Sequence, residues 1–292
     1  MKRFVKIYTY WLLGILLFTG CDDYLKEDSG DLLIPGKVEE FLPMLYREGF
    51  PRNFNDEVAW LYLMTDDVEM GQLELDPEDE SYETQDKNSL DALSAGEGEE
   101  PYKWEREIKN YADNFWERRY GNILACNLVI DALPEMKYVE TDSGVYNFLA
   151  AQAYALRAYN YWCLVNSYAL PWSKENLDKP GVIIRTEPQI DVSARGRSSI
   201  RDVYDLINED IEKAEKYINV ATFDGNIHRL SEPAILLLAS RIALFQENWD
   251  EVIRTGKLFL AQNSVILNLN DQDTTLFGTE KGLSNKIFTM MD

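Results

Sequence analysis

The sequence predicts a mainly all-α fold, paired helices with irregular loops inserted between them, and three observations carry the prediction. Apolar residues recur at helical spacing through five long segments between residues 113 and 262. Capping residues and prolines fall at the ends of several of these segments. Strand character is confined to one short stretch, residues 182–184.

In chain order, the first twenty residues stand apart from the fold. Lys2, Arg3 and Lys6 make a basic start, and residues 7–18 form a twelve-residue apolar run, too short for the ~20 residues that span a bilayer. In LLFTGCDDYL, Thr19 and Gly20 lead directly into Cys21, an arrangement that resembles a bacterial lipobox with Phe18 where Leu is usual. Cys21 is therefore the expected lipid attachment site, and residues 1–20 the signal peptide removed ahead of it. A thioether-linked diacylglyceride plus an acyl chain such as palmitate on the new amino terminus would anchor the protein stably, because a single chain does not suffice. Residues 21–36 read as an acidic tether.

The remaining chain, residues 37–292, reads as one helical domain. Residues 37–45 and 58–64 have helix-like apolar spacing, with Pro43 and Pro51 as breakers. Residues 65–110 read as an acidic loop insertion, of which 65–100 carry fourteen acidic residues and one basic one, Lys87, without a sustained period. A helix is predicted over 113–133, capped by Asp113 or Asn114 and with Pro134 just beyond its end, and a longer, alanine-rich one over 143–168. A loop with prolines at 171, 180 and 188 follows. Ser199 and Asp202 form a capping-box pattern that opens a helix over 200–218. Ser231 caps the next, with Pro233 in its first turn, and after a short turn around Asn248 the segment WDEVIRTGKLFLAQ supplies an antiparallel partner. Residues 231–262 are thus close to one tetratricopeptide-like hairpin, with Ala239 and Leu244 in its first helix and Phe259 in its second.

Composition excludes several functions. The chain carries 29 basic and 51 acidic residues, net −22, and removing the three basic residues of the signal brings it to −25. Such a surface repels phosphate backbones, so nucleic acid is not an expected partner. With Cys21 acylated, only Cys126 and Cys163 remain, both in apolar-periodic segments where buried thiols are expected. The single histidine, His228, lies in a polar loop and cannot build a histidine metal cage. Acid pairs such as Asp66 with Asp67, or those among Glu78, Asp79 and Glu80, lie in the insertion, which positions acids badly for a glycosidase. NLNDQDTT at 268–275 lacks the glycine and terminal glutamate of a calcium loop. No catalysis, metal or cofactor is expected. Arg157, inside a helix, is expected to pair with a carboxylate across a helix interface, since an unpaired buried charge is costly.

The order of segments resembles the SusD/RagB family, surface glycan-binding lipoproteins of Bacteroidota. The resemblance rests on FTGC with DDYLKED after it, DNFWERRYGNILACNLVIDAL, AYALRAYNYWCLVNSYALPW, GVIIRTEP, SSIRDVYDLINEDIEKA and SEPAILLLASRIALFQENWDEVI. It implies a predominantly helical scaffold of tetratricopeptide-like hairpins. It also implies surface exposure on the outer membrane, capture of glycans or sometimes peptides, and delivery to a partner TonB-dependent, SusC-like transporter. Family members usually continue into a loop-rich second half, whereas this chain stops at SNKIFTMMD, so it is expected to be a fragment or a truncated relative. In the second case a docking scaffold without nutrient binding is the alternative function. The resemblance places one wall of the ligand site near the insertion. Sugar binding needs flat apolar faces, and Tyr82, Tyr102 and Trp104 lie there outside the strong helix periods. Trp104 is the first candidate, with packing on the helix at 113–133 as its alternative; Trp116, Tyr120, Tyr154, Tyr161 and Trp162 are expected in the core.

The intact mass of protein extracted from the native outer membrane by detergent is expected to correspond to a chain that begins at Cys21 and carries diacylglyceride plus one acyl chain. An unlipidated mass overturns the assignment of Cys21.

Overall fold

The computed structural model of the protein describes residues 38–51, 64, 103–105, 114–136, 143–189, 193–223, 225–226 and 228–264. The chain divides into the units Met1–Gly36 and Lys37–Asp292, and every described residue belongs to the second. Residues 58–63 of the predicted helix at 58–64, most of the acidic insertion and the segment 268–275 fall outside the described residues.

Six helices are described: α1 Val38–Glu48, α2 Phe115–Met136, α3 Ser143–Tyr168, α4 Ile200–Ile218, α5 Glu232–Phe245 and α6 Trp249–Gln262. The arrangement follows from α3. Its alanines 150, 151, 153, 155 and 158 are inaccessible to solvent and its apolar residues point in all directions, so the helix has no face that water can satisfy and must lie at the centre. Small side chains let neighbours approach closely. Helices α2 and α4 pack along α3, α1 lies on α2 and α3, α5 on α4 and α3, and α6 pairs with α5.

Two apolar clusters divide this core along α3. One gathers Val38, Phe41 and Leu45 of α1, Val129 and Leu133 of α2, and Leu149 and Leu156 of α3. The other joins Tyr161 and Leu164 of α3 to Val203 and Ile207 of α4 and to Leu238 and Ile242 of α5. The last helix is different. Among the described residues Thr255 is the buried residue of α6, and Trp249, Ile253, Leu258 and Leu260 are exposed.

Helix ends are set locally, much as the sequence predicts. Asn114 sits at the N-cap position of α2, its carbonyl accepting the Arg118 N–H at 3.0 Å. The capping box of α4 is complete: Ser199 Oγ accepts the Asp202 N–H at 3.1 Å, and Asp202 Oδ2 accepts the Ser199 N–H at 3.2 Å. Ser231 caps α5 through the Ala234 N–H, and Asn248 caps α6 through the Glu251 N–H. Between these two helices Glu247 takes a left-handed φ of 54°, the conformation that reverses a chain after a helix. This tight turn makes 231–262 the expected hairpin.

Several expectations are corrected. Pro43 lies inside α1 and Pro134 inside α2, neither ending its helix. Each removes one backbone donor, but α1 buries Val38, Phe41 and Leu45, and α2 buries Leu133 and Met136 on either side of its proline, so packing outweighs the lost bond. Residues 182–184 form no strand; an isolated bridge links Pro180 to Ser199, and the strap beyond it is held by side chains. Cys126 is buried, its thiol pushed up to about 12 by burial, whereas Cys163 is only half-buried. Of the aromatics expected in the core, Tyr161 and Trp162 are buried, but Trp116, Tyr120 and Tyr154 are half-buried. Leu244 of the hairpin is exposed.

Arg157 behaves as expected. Its Nε and Nη2 donate to the two carboxylate oxygens of Asp210 on α4, each at 2.8 Å, and its Nη1 donates to Asn127 Oδ1 on α2 at 2.9 Å. Removing one partner of a buried pair leaves an uncompensated charge and costs about 3–5 kcal/mol. Arg157→Met and Asp210→Leu are each expected to lose about that much stability in urea unfolding. The double variant is expected to lose markedly less than their sum, and strict additivity would show that the two side chains are not coupled.

Candidate functional site

The strap, residues 181–187, runs from the bridge at Pro180 past α2 and α3. It begins at Gly181, where a Cβ would come within 3.1 Å of the Ser198 carbonyl and 3.2 Å of the Ile200 backbone, so the approach of the two segments depends on the missing side chain. The Gly181 N–H donates to Ser198 O at 2.7 Å, and the Ser198 N–H donates to Val182 O at 2.9 Å. Beyond Val182 the backbone partners are side chains. Tyr120 of α2 donates its hydroxyl to Ile183 O at 2.7 Å. Tyr161 of α3 donates to Arg185 O at 2.7 Å and accepts the Arg185 N–H at 2.8 Å, replacing both bonds of a neighbouring strand. Asn127 Nδ2 donates to Arg185 O at 3.0 Å and Glu187 O at 3.2 Å. Since Asn127 is itself oriented by Arg157, the ion pair in the core is linked to the strap by one amide.

A groove of about 380 Å³ lies between α2 and the strap. Its wall includes Trp116, Tyr120, Leu124 and Ile183, and its polar groups include Arg185, Glu187 and Gln189. Trp116 is set by aromatic contacts: its ring centre lies 5.0 Å from that of Tyr120, and 5.0 Å from that of Tyr168 at an edge-on 87°. The guanidinium of Arg197 lies 5.7 Å from the Trp116 ring centre. Burial pushes the Tyr120 hydroxyl up to about 12, so it remains a proton donor to the strap at any physiological pH. Hydrogen bonds from Arg195 hold the Glu187 carboxyl below the usual carboxylate range. The groove therefore pairs an apolar wall with charged groups, an arrangement suited to a ligand with both a flat hydrocarbon face and polar substituents.

A second cleft, of about 410 Å³, lies where α4 meets the α5–α6 hairpin. Glu212, Glu215 and Glu251 line it, and Arg254 bridges Glu215 and Glu251. Its cation is already engaged by two carboxylates, so this cleft reads as the seam that joins the hairpin to α4. Among the described residues no group of three or more His, Cys, Asp or Glu side chains is arranged to hold a metal ion, and no helix is long and apolar enough to cross a membrane.

Of the residues selected from sequence, Cys21, Tyr82 and Tyr102 lie outside the described residues. Trp104 is described: it is 68% exposed, with a left-handed φ of 55°. Exposure to that extent does not fit packing on α2. His228 sits exposed in a turn, its N–H donating to Asn226 Oδ1 at 2.9 Å. Trp116 and Tyr120 were expected in the core, and their half-buried rings were missed as groove wall; helical periodicity cannot tell a core face from a face beneath a strap. A second signal was available in the sequence, the four arginines at 185, 195, 197 and 201 in an otherwise acidic chain.

A helical scaffold that pins extended loops by side-chain hydrogen bonds, with a mixed aromatic and charged groove beside one of them, defines the class of the fold, a helical-hairpin scaffold. The model of a SusD-like family described as "Starch-binding associating with outer membrane" matches residues 50–244. The chain belongs to this family. A SusD-like protein, P38, from Formosa agariphila is 28% identical over 158 residues, 53% of this chain and 27% of the relative. Among solved structures, a SusD-like carbohydrate binding protein from Bacteroides vulgatus superposes with a TM-score of 0.56 at 19% identity, covering 81% of this chain and 47% of that one. A laminarin binding SusD-like protein superposes with a TM-score of 0.54 at 17% identity, covering 76% and 42%. The chain thus spans less than half the length of these relatives.

Tyr161→Phe deletes the hydroxyl that serves both the N–H and the C=O of Arg185. It is expected to destabilise the protein by about 1–3 kcal/mol, and to raise amide hydrogen exchange at 183–187 above that in the α3 core. Unchanged exchange in the strap would show that Tyr161 does not hold it.

Proposed function

We propose that this protein is a non-catalytic, cell-surface glycan-binding lipoprotein that captures oligosaccharide and delivers it to a partner SusC-like, TonB-dependent outer-membrane transporter. The observation that carries the proposal is the family match across residues 50–244, which spans the strap and most of the described scaffold. The laminarin binding relative of similar fold supports a glycan as ligand. Anchoring through Cys21, with the acidic tether after it, would hold the scaffold at the membrane while leaving it in water.

Trp104 remains the first candidate for ligand contact, with Tyr82 and Tyr102 of the same acidic insertion after it. Its exposure removes the burial that ordinarily explains a tryptophan, and its left-handed backbone is a conformation that a bulky residue adopts at a cost. Such a residue suits a stacking platform better than a packing element.

A glycan array probed with the full chain tests the function: binding to at least one oligosaccharide class is expected, and no binding to any overturns the proposal. For the best ligand on the array, Trp104→Ala is expected to weaken affinity about threefold to tenfold by calorimetry, with the melting temperature nearly unchanged. A large fall in melting temperature with intact affinity would make Trp104 part of the scaffold.

A further inference from the structure

Resting on the glycan-binding proposal above, we infer that the groove between α2 and the strap is a subsite for a short, electrically neutral oligosaccharide, and that Gly121 leaves the room for it. Two periodicities meet in the groove. On α2, Glu117, Gly121 and Leu124 recur at spacings of four and three, which sets them in one row along the helix. On the strap, Ile183, Arg185 and Glu187 recur at a spacing of two, which turns them to one side of an extended segment. Trp116 and Tyr120 complete the apolar wall. Tyr168 and Arg197, which brace the Trp116 ring, do not line the groove, so the indole is set in place without filling it.

Gly121 is the observation that points to a ligand. It lies in the interior of a 22-residue helix, where only proline is less favourable than glycine. Packing does not ask for it, because a Cβ built there would meet nothing within 4 Å beyond the backbone of its own helix. What the missing side chain leaves is open space, and that space belongs to the groove. The lining then selects the ligand. Glu187 is engaged by Arg195, and Arg185 donates to Ser193 O at 3.1 Å, so neither waits for a counter-ion. Two carboxylates, Glu117 and Glu187, against one guanidinium repel an anion. The hydroxyls of a neutral sugar can donate to those carboxylates and accept from the guanidinium and the Gln189 amide, while the C–H face of a pyranose suits Trp116 and Leu124. A volume of about 380 Å³ is at the lower end of the range of about 300–1,000 Å³ for small-molecule sites, which fits a short stretch of sugar chain.

The glycan array, run with the full chain and with Gly121→Leu, tests the inference. Its probes include neutral laminari-, malto- and xylo-oligosaccharides, acidic oligogalacturonates and cationic chitosan oligosaccharides. Signals concentrated on neutral glycans are expected, and Gly121→Leu is expected to lose them. Alanine and leucine are better helix formers than glycine, so both variants are expected to fold, and Gly121→Ala is expected to raise the melting temperature by about 2 °C or more. In calorimetry with the strongest neutral probe, the same alanine variant is expected to weaken affinity about threefold or more, because its methyl group occupies the groove. Gly256→Ala is the control, a helical glycine on α6 with equally open space around it; it is expected to stabilise the helix and leave affinity unchanged. Neutral-glycan signals that persist in Gly121→Leu, a preference for acidic or cationic probes, or an equal loss of affinity in Gly256→Ala overturns the inference and leaves the glycan-binding proposal standing. An array silent with the unaltered chain overturns both.

Discussion

The bidentate pair between Arg157 and Asp210 is the constraint on which the rest of the fold depends. Both side chains lie in the packed centre, on α3 and α4, where an ion stripped of water is stable only if its hydrogen bonds are complete. Asp210 accepts two of them from the guanidinium, and Asn127 of α2 accepts a third. Apolar contacts among α2, α3 and α4 would tolerate small slides, because dispersion and hydrophobic burial are not directional. A fork of charge-assisted bonds does not tolerate them, so one residue fixes the mutual register of three helices.

The same helix fixes loops by a second device. Side chains of α3 form reciprocal pairs with passing backbone: Tyr161 with the N–H and C=O of Arg185, and Gln152 with the N–H and C=O of Leu230 at 2.9 and 2.7 Å. Asn160 adds a single bond to the carbonyl of Gly49, just past α1. A loop pressed against a helix cannot find strand partners, and its amides must still be satisfied. Polar side chains that reach outward from an otherwise apolar helix meet that requirement. They also explain how an extended strap can lie beside α2 and α3 without a sheet, with a groove left between.

Local chemistry made much of this architecture legible beforehand. Helices α3 and α4 have the bounds that alanine content, apolar spacing and the Ser199–Asp202 box imply, because those signals act within a few residues of where they appear. The pairing of Arg157 was also legible, since a charged residue amid AYALRAYNYW has few other fates. Other features depended on contacts distant in sequence. Pro43 was read as a breaker and Pro134 as lying just beyond its helix, and only the buried residues around them show why their helices continue. The strap looked like a strand because Val and Ile suit extended backbone, and nothing local reports that its partners are tyrosines on helices 63 and 24 residues away. The half-buried state of Trp116 and Tyr120 was hidden for the same reason. Cys21, Tyr82 and Tyr102 belong to segments where the reading rests on sequence alone.

Charge in this protein acts on two length scales. The chain's net charge of −22 repels any anion approaching from a distance, and at low salt, where the Debye length is about 30 Å, that repulsion reaches across the whole domain. At physiological ionic strength the Debye length is about 8 Å. The field at the groove is then set by the charges that line it, Arg185, Glu117 and Glu187, while acids elsewhere on the surface are largely screened.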